Sequence, residues 1–318
     1  MNNDEFINVG NKLCSSLTIV LKNEGILGGP HSAIFDYDFN GSVLHIGIEQ
    51  FIVRTINVSA DSPIPMSNLW GFYTMMERLL MLLDGRFYII ESATFTGDAC
   101  SEADYSSYAQ ECLSRRLSYC KTDPAYCYSD HVFLMYDTVI SPELLSKWIH
   151  LQDELDIVHQ VALYNIADTG VTHDVKCANL IECLEPMAEI IGLYDSFFPN
   201  LKPGEKTTTL KMCIDAVISK YGQDIFVEEY NASKGKFLQT FVNTRNRIIH
   251  IKRNQPTEKY LSGAESILYL VKLCHLYRVV ILSLLGIDYA RYQTVVVKSV
   301  GLWNSWNGVL TNFINTIK

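Results

Sequence analysis

Position 245 holds an arginine where an amphipathic helix would ordinarily place a leucine. Wound at about 100° per residue, the segment FLQTFVNTRNRIIHIKRN (Phe237 to Asn254) aligns Phe237, Leu238, Phe241, Val242, Ile248 and Ile249 in one apolar stripe, with Arg245 in its middle. A guanidinium cannot be neutralised and is costly to bury alone, so Arg245 must meet an acid, a crevice or an anionic ligand. Taken alone, it leaves open both a structural ion pair with a neighbouring helix and a site for an anion. Asn243, Asn246 and His250, with Gln239, run along one flank of the same helix, Asn246 and His250 being neighbours at four-residue spacing. Arg247 points away from the stripe.

This helix is also where positive charge collects. The whole chain carries a formal net charge of -9, which argues against a basic coat for nonspecific nucleic-acid binding. Yet Lys234, Lys236, Arg245, Arg247, Lys252 and Arg253 all fall between Glu229 and Glu258, an interval without a single acid. One local basic site is therefore compatible with an acidic protein.

A long helical region must hold this segment in place. Ser141-Pro142-Glu143 supplies a cap, a first-turn proline and an early acid, and from there the pattern predicts helices at about 142–167, 173–195, 206–221, 233–252 and 259–286. The tail reads as a strand, YQTVVVKSV, followed by a helix rich in Trp and Asn. Before residue 140 the pattern is mixed. Two stretches of aromatic and β-branched residues flank Asn40-Gly41, a hairpin signal, and FIVRTINV and RFYIIESATF read as further strands. SPIPMSNLWGFYTMMERLLMLLDG reads as a helix capped by Ser67 and ended by Gly85, and HVFLMYDTV as another strand. The expected fold is an α+β N-terminal domain over 1–140, followed by an all-α helical bundle with a C-terminal extension over 141–318.

With 318 residues, 48% hydrophobic and 19% charged, the chain is long enough for two cored domains. The opening residues MNNDEFINVGNKL lack the order of a secretory signal, so the expected location is cytoplasmic. ILYLVKLCHLYRVVILSLLGI is apolar enough to suggest a membrane span, but Lys272, His275 and Arg278 interrupt it, and it reads as a buried amphipathic helix. Nine cysteines without a C-x-x-C pair predict reduced thiols. The group Cys112, Cys120, Cys127 and His131 has gaps too long and irregular for a zinc knuckle, so no metal is expected.

The sequence R-N-x-x-x-H, read from Arg245, Asn246 and His250, resembles the motif of the HEPN (higher eukaryotes and prokaryotes nucleotide-binding) superfamily, many of whose members are ribonucleases. The succession KYGQDIF, FLQTFVNTRNRIIH and YLVKLCHLYRVVILSLLGID looks particularly like the Apea-like branch. The resemblance covers roughly 142–288 and is sharpest from about 206 to 288. It implies RNA cleavage without a metal or cofactor. Histidine suits proton transfer, having an unperturbed pKa of about 6.5. Arginine offers a planar fork of donors to phosphate oxygens. The implied roles are proton transfer for His250, phosphate and transition-state charge for Arg245, and orientation of phosphate or histidine for Asn246.

On a regular helix Arg245 and His250 point about 140° apart. Enzymes resembling this family line one composite cleft with two motif helices, so a homodimer is expected. Arg247, Lys252 and Arg253 would extend a positive rim for RNA, though Lys252 and Arg253 read equally as a solvated helix end. The Apea-like branch further suggests a bacterial toxin or anti-phage defence effector that acts by abortive infection. The N-terminal domain carries no motif and is expected to sense a trigger or restrain the enzyme.

Other constellations promise less. His150, Asp153, Glu154, Asp156 and His159 read as a polar helix face. No phosphate-binding glycine fingerprint, nucleophile elbow or H-E-x-x-H is present. Trp303 and Trp306 read as docking a terminal helix rather than stacking bases.

Overall fold

A computed structural model describes residues 3–21, 30–50, 53–117, 132–165, 171–199, 209–251 and 258–318. The chain divides into two compact units: residues 1–126 with 134–149 and 167–169, and residues 150–166 and 170–318 with 127–133. The first unit is α+β, and the second is helical among the described residues.

In the first unit, α1 (Asn3–Gly10) leads into β1 (Leu13–Leu21), β2 (His31–Phe39), β3 (Ser42–Gln50) and β4 (Arg54–Pro65). Helix α2 (Met66–Asp84), β5 (Ile90–Thr96) and α3 (Glu102–Leu117) follow. The sheet has the order β2-β3-β4-β1-β5, with every neighbouring pair antiparallel. Asn40 and Gly41 both take positive φ (53° and 79°), as a tight hairpin between paired Phe39 and Ser42 requires, and the Gly41 N–H donates to Asp38 Oδ1 at 2.9 Å. Period-two alternation buries Leu17, Ile19 and Leu21, then Leu44, Ile46 and Ile48, then Ile56 and Val58. Helix α2 packs on this layer with Leu69, Phe72, Met76, Leu79 and Leu80 buried, each full burial of such a side chain being worth about 1.5–3 kcal/mol.

Two expectations for this unit change. Ser67 does not cap α2, which begins one residue earlier, after Pro65. Gly85 does close it, in the left-handed conformation, with its N–H on Met81 O. HVFLMYDTV forms no strand among its described residues: it is irregular, with one 3-10 turn at Tyr136–Thr138. The side chains explain this. The Tyr136 hydroxyl donates to His31 O, and Asp137 pairs with His31 Nδ1 at 2.7 Å, so side chains rather than a backbone ladder hold the segment to the edge of β2.

Helix α4 (Pro142–Glu154) carries residues of both units. The second unit continues with α5 (Asp156–Tyr164), α6 (His173–Glu182), α7 (Leu184–Tyr194), α8 (Leu210–Tyr221), α9 (Val227–Ile249), α10 (Ala264–Leu284), α11 (Gln293–Asn304) and α12 (Val309–Ile317). The two long helices predicted at 142–167 and 173–195 are each broken, at Leu155 and at Cys183. YQTVVVKSV is helical, not a strand: Val296, Ser299 and Val300 are buried at three- and four-residue spacing, a periodicity that outweighs the β-propensity of three consecutive valines.

Helix α10 is the centre of this unit. It is buried on all sides from Leu268 to Leu282, and so is less amphipathic than expected. Among the described residues it is the one helix apolar and long enough to cross a membrane, but 83% of its apolar window is buried inside the protein, as befits a core helix. Its polar residues are absorbed internally. Lys272 pairs with the equally buried Glu229, and His275 is bonded to Ser299 Oγ at 2.7 Å. Arg278 lies 3.5 Å over the Phe133 ring. His159, expected on a polar surface, is also fully buried. Its Nε2 donates to Leu151 O at 3.0 Å, which leaves Nδ1 to accept from the Tyr277 hydroxyl at 2.6 Å.

Candidate active site

Helix α9 carries the arginine. It starts with Glu228 and Glu229 in its first turn, kinks at Ser233 and ends at Ile249. Phe237, Leu238 and Phe241 are buried as expected, in an aromatic cluster with Phe226, Tyr269 and Phe313. The rest of the predicted stripe loosens: Ile249 is 39% exposed, and Thr240 and Thr244 are buried instead. Each threonine hydroxyl donates to the carbonyl four residues back, which removes the cost of burying it. Thr244 Oγ1 also accepts the Leu261 N–H at 2.8 Å, and Asn243 Nδ2 donates to Lys259 O at 3.1 Å. The chain returning from the motif is thereby held along α9.

Arg245 is half-buried and meets an acid that no spacing rule had singled out. Its Nε and Nη2 donate to the two carboxylate oxygens of Glu182, the last residue of α6, with Nη2 to Oε1 at 2.9 Å. The side chain of Arg245 is 18% exposed and that of Glu182 39%. Hydrogen bonding from Glu182 outweighs partial burial and raises the arginine pKa further. The other end of the fork, Nη1, donates to Asn246 Oδ1 at 2.9 Å and to His250 Nε2 at 3.0 Å. Arg245, Asn246 and His250 thus form one cluster within a single chain.

A regular helix would separate Arg245 from His250 by about 140°. The contact forms all the same, at the residue where the helix stops. His250 is the C-cap residue, with φ -95° and ψ 6°, and Ile251 follows in the left-handed region at φ 47°. A β-branched residue rarely adopts that conformation. The imidazole and the long arginine side chain bridge the remaining separation, Nη1 to Nε2 at 3.0 Å. Since arginine can only donate, Nε2 accepts in this contact.

Arg247 packs against an aromatic side chain. Its guanidinium lies 3.9 Å over the Tyr260 ring. Lys252 and Arg253 lie outside the described residues. So do Cys120, Cys127 and His131, and no group of three or more metal-ligating side chains occurs among the described residues. The described cysteines are free, and burial pushes Cys183, beside Glu182, up to about 12.

Residues 195–291 match the family model of the Apea-like HEPN domain. This segment is an Apea-like HEPN domain. It contains α8, α9 and α10, and therefore the whole Arg245–His250 cluster, while Glu182 lies just outside it. HEPN membership is consistent with a ribonuclease or nucleotide-binding function. No curated protein and no solved structure matched the chain.

Proposed function

We propose that the protein is a metal-independent endoribonuclease whose working residues are Arg245, Asn246 and His250. The observation that carries this reading is the Arg245 fork, clamped on one side by Glu182 and pointing on the other at Asn246 and His250. In the reaction, a ribose 2′-oxygen loses its proton and attacks the adjacent phosphorus. The bond to the 5′-oxygen breaks, and that oxygen takes up a proton. The products are a 2′,3′-cyclic phosphate and a 5′-hydroxyl. His250 moves a proton at Nε2, and Arg245 Nη1 stabilises the charge that accumulates on the phosphoryl oxygens.

In the cluster as it stands, two of the five guanidinium N–H groups serve Glu182 and two serve Asn246 and His250. A phosphate entering at Nη1 takes over the donor that His250 held. His250 Nε2 is then free for proton transfer, so substrate binding and activation of the histidine are one event.

The second reading, a non-catalytic dimerising or RNA-binding scaffold, is favoured by the ion pair of Arg245 with an acid of its own chain. That reading wins where Arg245 contacts only a buried acid of its own chain and His250 faces solvent away from any dimer cleft. Glu182 is partly exposed, and Arg245 also holds Asn246 and His250. The enzymatic reading accounts for both facts.

The wider role follows as part of the same proposal: a homodimeric toxin or anti-phage effector in the bacterial cytoplasm, with the α+β unit (1–140 as read from sequence) sensing a trigger. Growth and total RNA integrity are compared on induced expression of wild type, Arg245→Ala and His250→Ala at matched soluble levels, with and without phage. RNA breakdown with slowed growth or protection, lost in both variants, supports the proposal. Equal RNA breakdown in wild type and variants refutes it.

A further inference from the structure

The polar flank of α9 continues well beyond the motif. Lys236, Gln239, Asn243, Asn246, Arg247 and His250 recur at three- and four-residue steps, and so share one face over about 20 Å of helix. At the end away from His250 this face forms one wall of a groove of about 360 Å³. Lys236, Gln239, Thr240 and Asn243 line it from α9, Glu258 and Lys259 from the returning chain, and Thr316 from α12. A single nucleotide is of a size to occupy such a space.

The groove wall is ordered by a chain of bonds. Lys211 Nζ donates to Gln239 Oε1 at 3.3 Å, Gln239 Nε2 to Asn243 Oδ1 at 3.0 Å, and Asn243 Nδ2 to Lys259 O. Each amide keeps one N–H and one oxygen lone pair in reserve, and Glu258 adds an acceptor. Lys259 is neutralised by Glu265, with contacts of 2.6 and 2.9 Å. Lys236 Nζ donates to the backbone oxygen of Lys318 at 2.7 Å, which uses one of its three N–H groups. Fixed amides suit the edge of a base, and Lys236 suits a phosphate.

We propose that this groove is a nucleotide subsite for single-stranded RNA, holding a base near the scissile phosphate through Gln239 and Asn243 and the backbone through Lys236. The proposal rests on the ribonuclease reading. The Arg247–Tyr260 stack lies on the same face, within the span of the motif between Asn246 and His250, and offers a planar surface there.

Binding of a labelled short single-stranded RNA is measured by fluorescence anisotropy with the full-length His250→Ala variant, which should hold RNA uncut, and wild type is assayed for cleavage in parallel. Adding Gln239→Ala and Asn243→Ala to that parent should weaken binding about tenfold. Adding Lys236→Gln should lower the slope of log affinity against log salt by about 0.7. Should the double amide variant misfold, Gln239→Leu keeps the Asn243 bond to Lys259 and replaces it. Unchanged affinity and slope with an RNA-binding parent overturn the subsite and leave the ribonuclease reading standing. Absence of both binding and cleavage overturns both.

Discussion

Arg245 Nη1 donates to His250 Nε2 across 3.0 Å, although five residues of helix would hold their side chains apart. The contact sits where the helix ends at Ile249, immediately before the left-handed turn at Ile251. Forcing residue 251 out of positive φ should disturb the C-cap that carries His250. Ile251→Gly, which adopts positive φ without strain, should retain cleavage and modestly raise stability, whereas Ile251→Pro, confined to negative φ, should lower cleavage at least tenfold. Cleavage assays with thermal melts of both variants check this.

Glu182 clamps Arg245 at Nε and Nη2, and on the proposed reading it positions the guanidinium. Glu182→Gln should reduce kcat about 10- to 100-fold, since small displacements of a charge-stabilising group are costly. KM should change little. Stability should change by less than about 1 kcal/mol, as for other partly exposed ion pairs. A loss of stability that matches the loss of activity would make Glu182 a folding residue only.

The buried pair Lys272–Glu229 predicts a different pattern. Burial lowers the lysine pKa against the pull of Glu229, and both side chains are fully enclosed. Glu229→Ala should cost about 3–5 kcal/mol in urea unfolding, because it strands a buried ammonium. The double change Glu229→Leu with Lys272→Met should recover most of that loss. If single and double variants are equally destabilised, the pair is not what sets the cost.

In the first unit, His45 bridges Asp36 at 2.7 Å and Asp61 at 2.6 Å. These hydrogen bonds, Asp36 first, raise its pKa above 6.5. A histidine raised in the folded state contributes stability that is fully present below the unfolded value and is lost as pH rises through the folded one. Thermal melts across about pH 5–8 should show that loss in wild type and not in His45→Gln. Identical pH profiles would contradict the bridge.

The sequence pattern conveyed the class of each unit, the Asn40-Gly41 hairpin and the family. Each is encoded locally, by alternation, by turn chemistry and by the succession of helices around Arg245. Errors arose where tertiary packing decided. Three consecutive valines in α11 suggested a strand, but their helical periodicity of burial prevailed. His159 looked like a surface residue until Tyr277 and Leu151, distant in sequence or on another helix, enclosed it. Glu182 lies 63 residues from Arg245, and no spacing rule reaches that far. A helical wheel does not show the contact between Arg245 and His250, because it gives the direction of a side chain and not its reach.

The most direct test is cleavage of single-stranded RNA by the purified protein in the presence of a chelator, with product ends identified. The account predicts fragments ending in 2′,3′-cyclic phosphate and beginning with 5′-hydroxyl, reduced by about 10²–10³ in Arg245→Ala and abolished in His250→Ala. Equal cleavage by wild type and both variants, or cleavage that vanishes with the chelator, would contradict it.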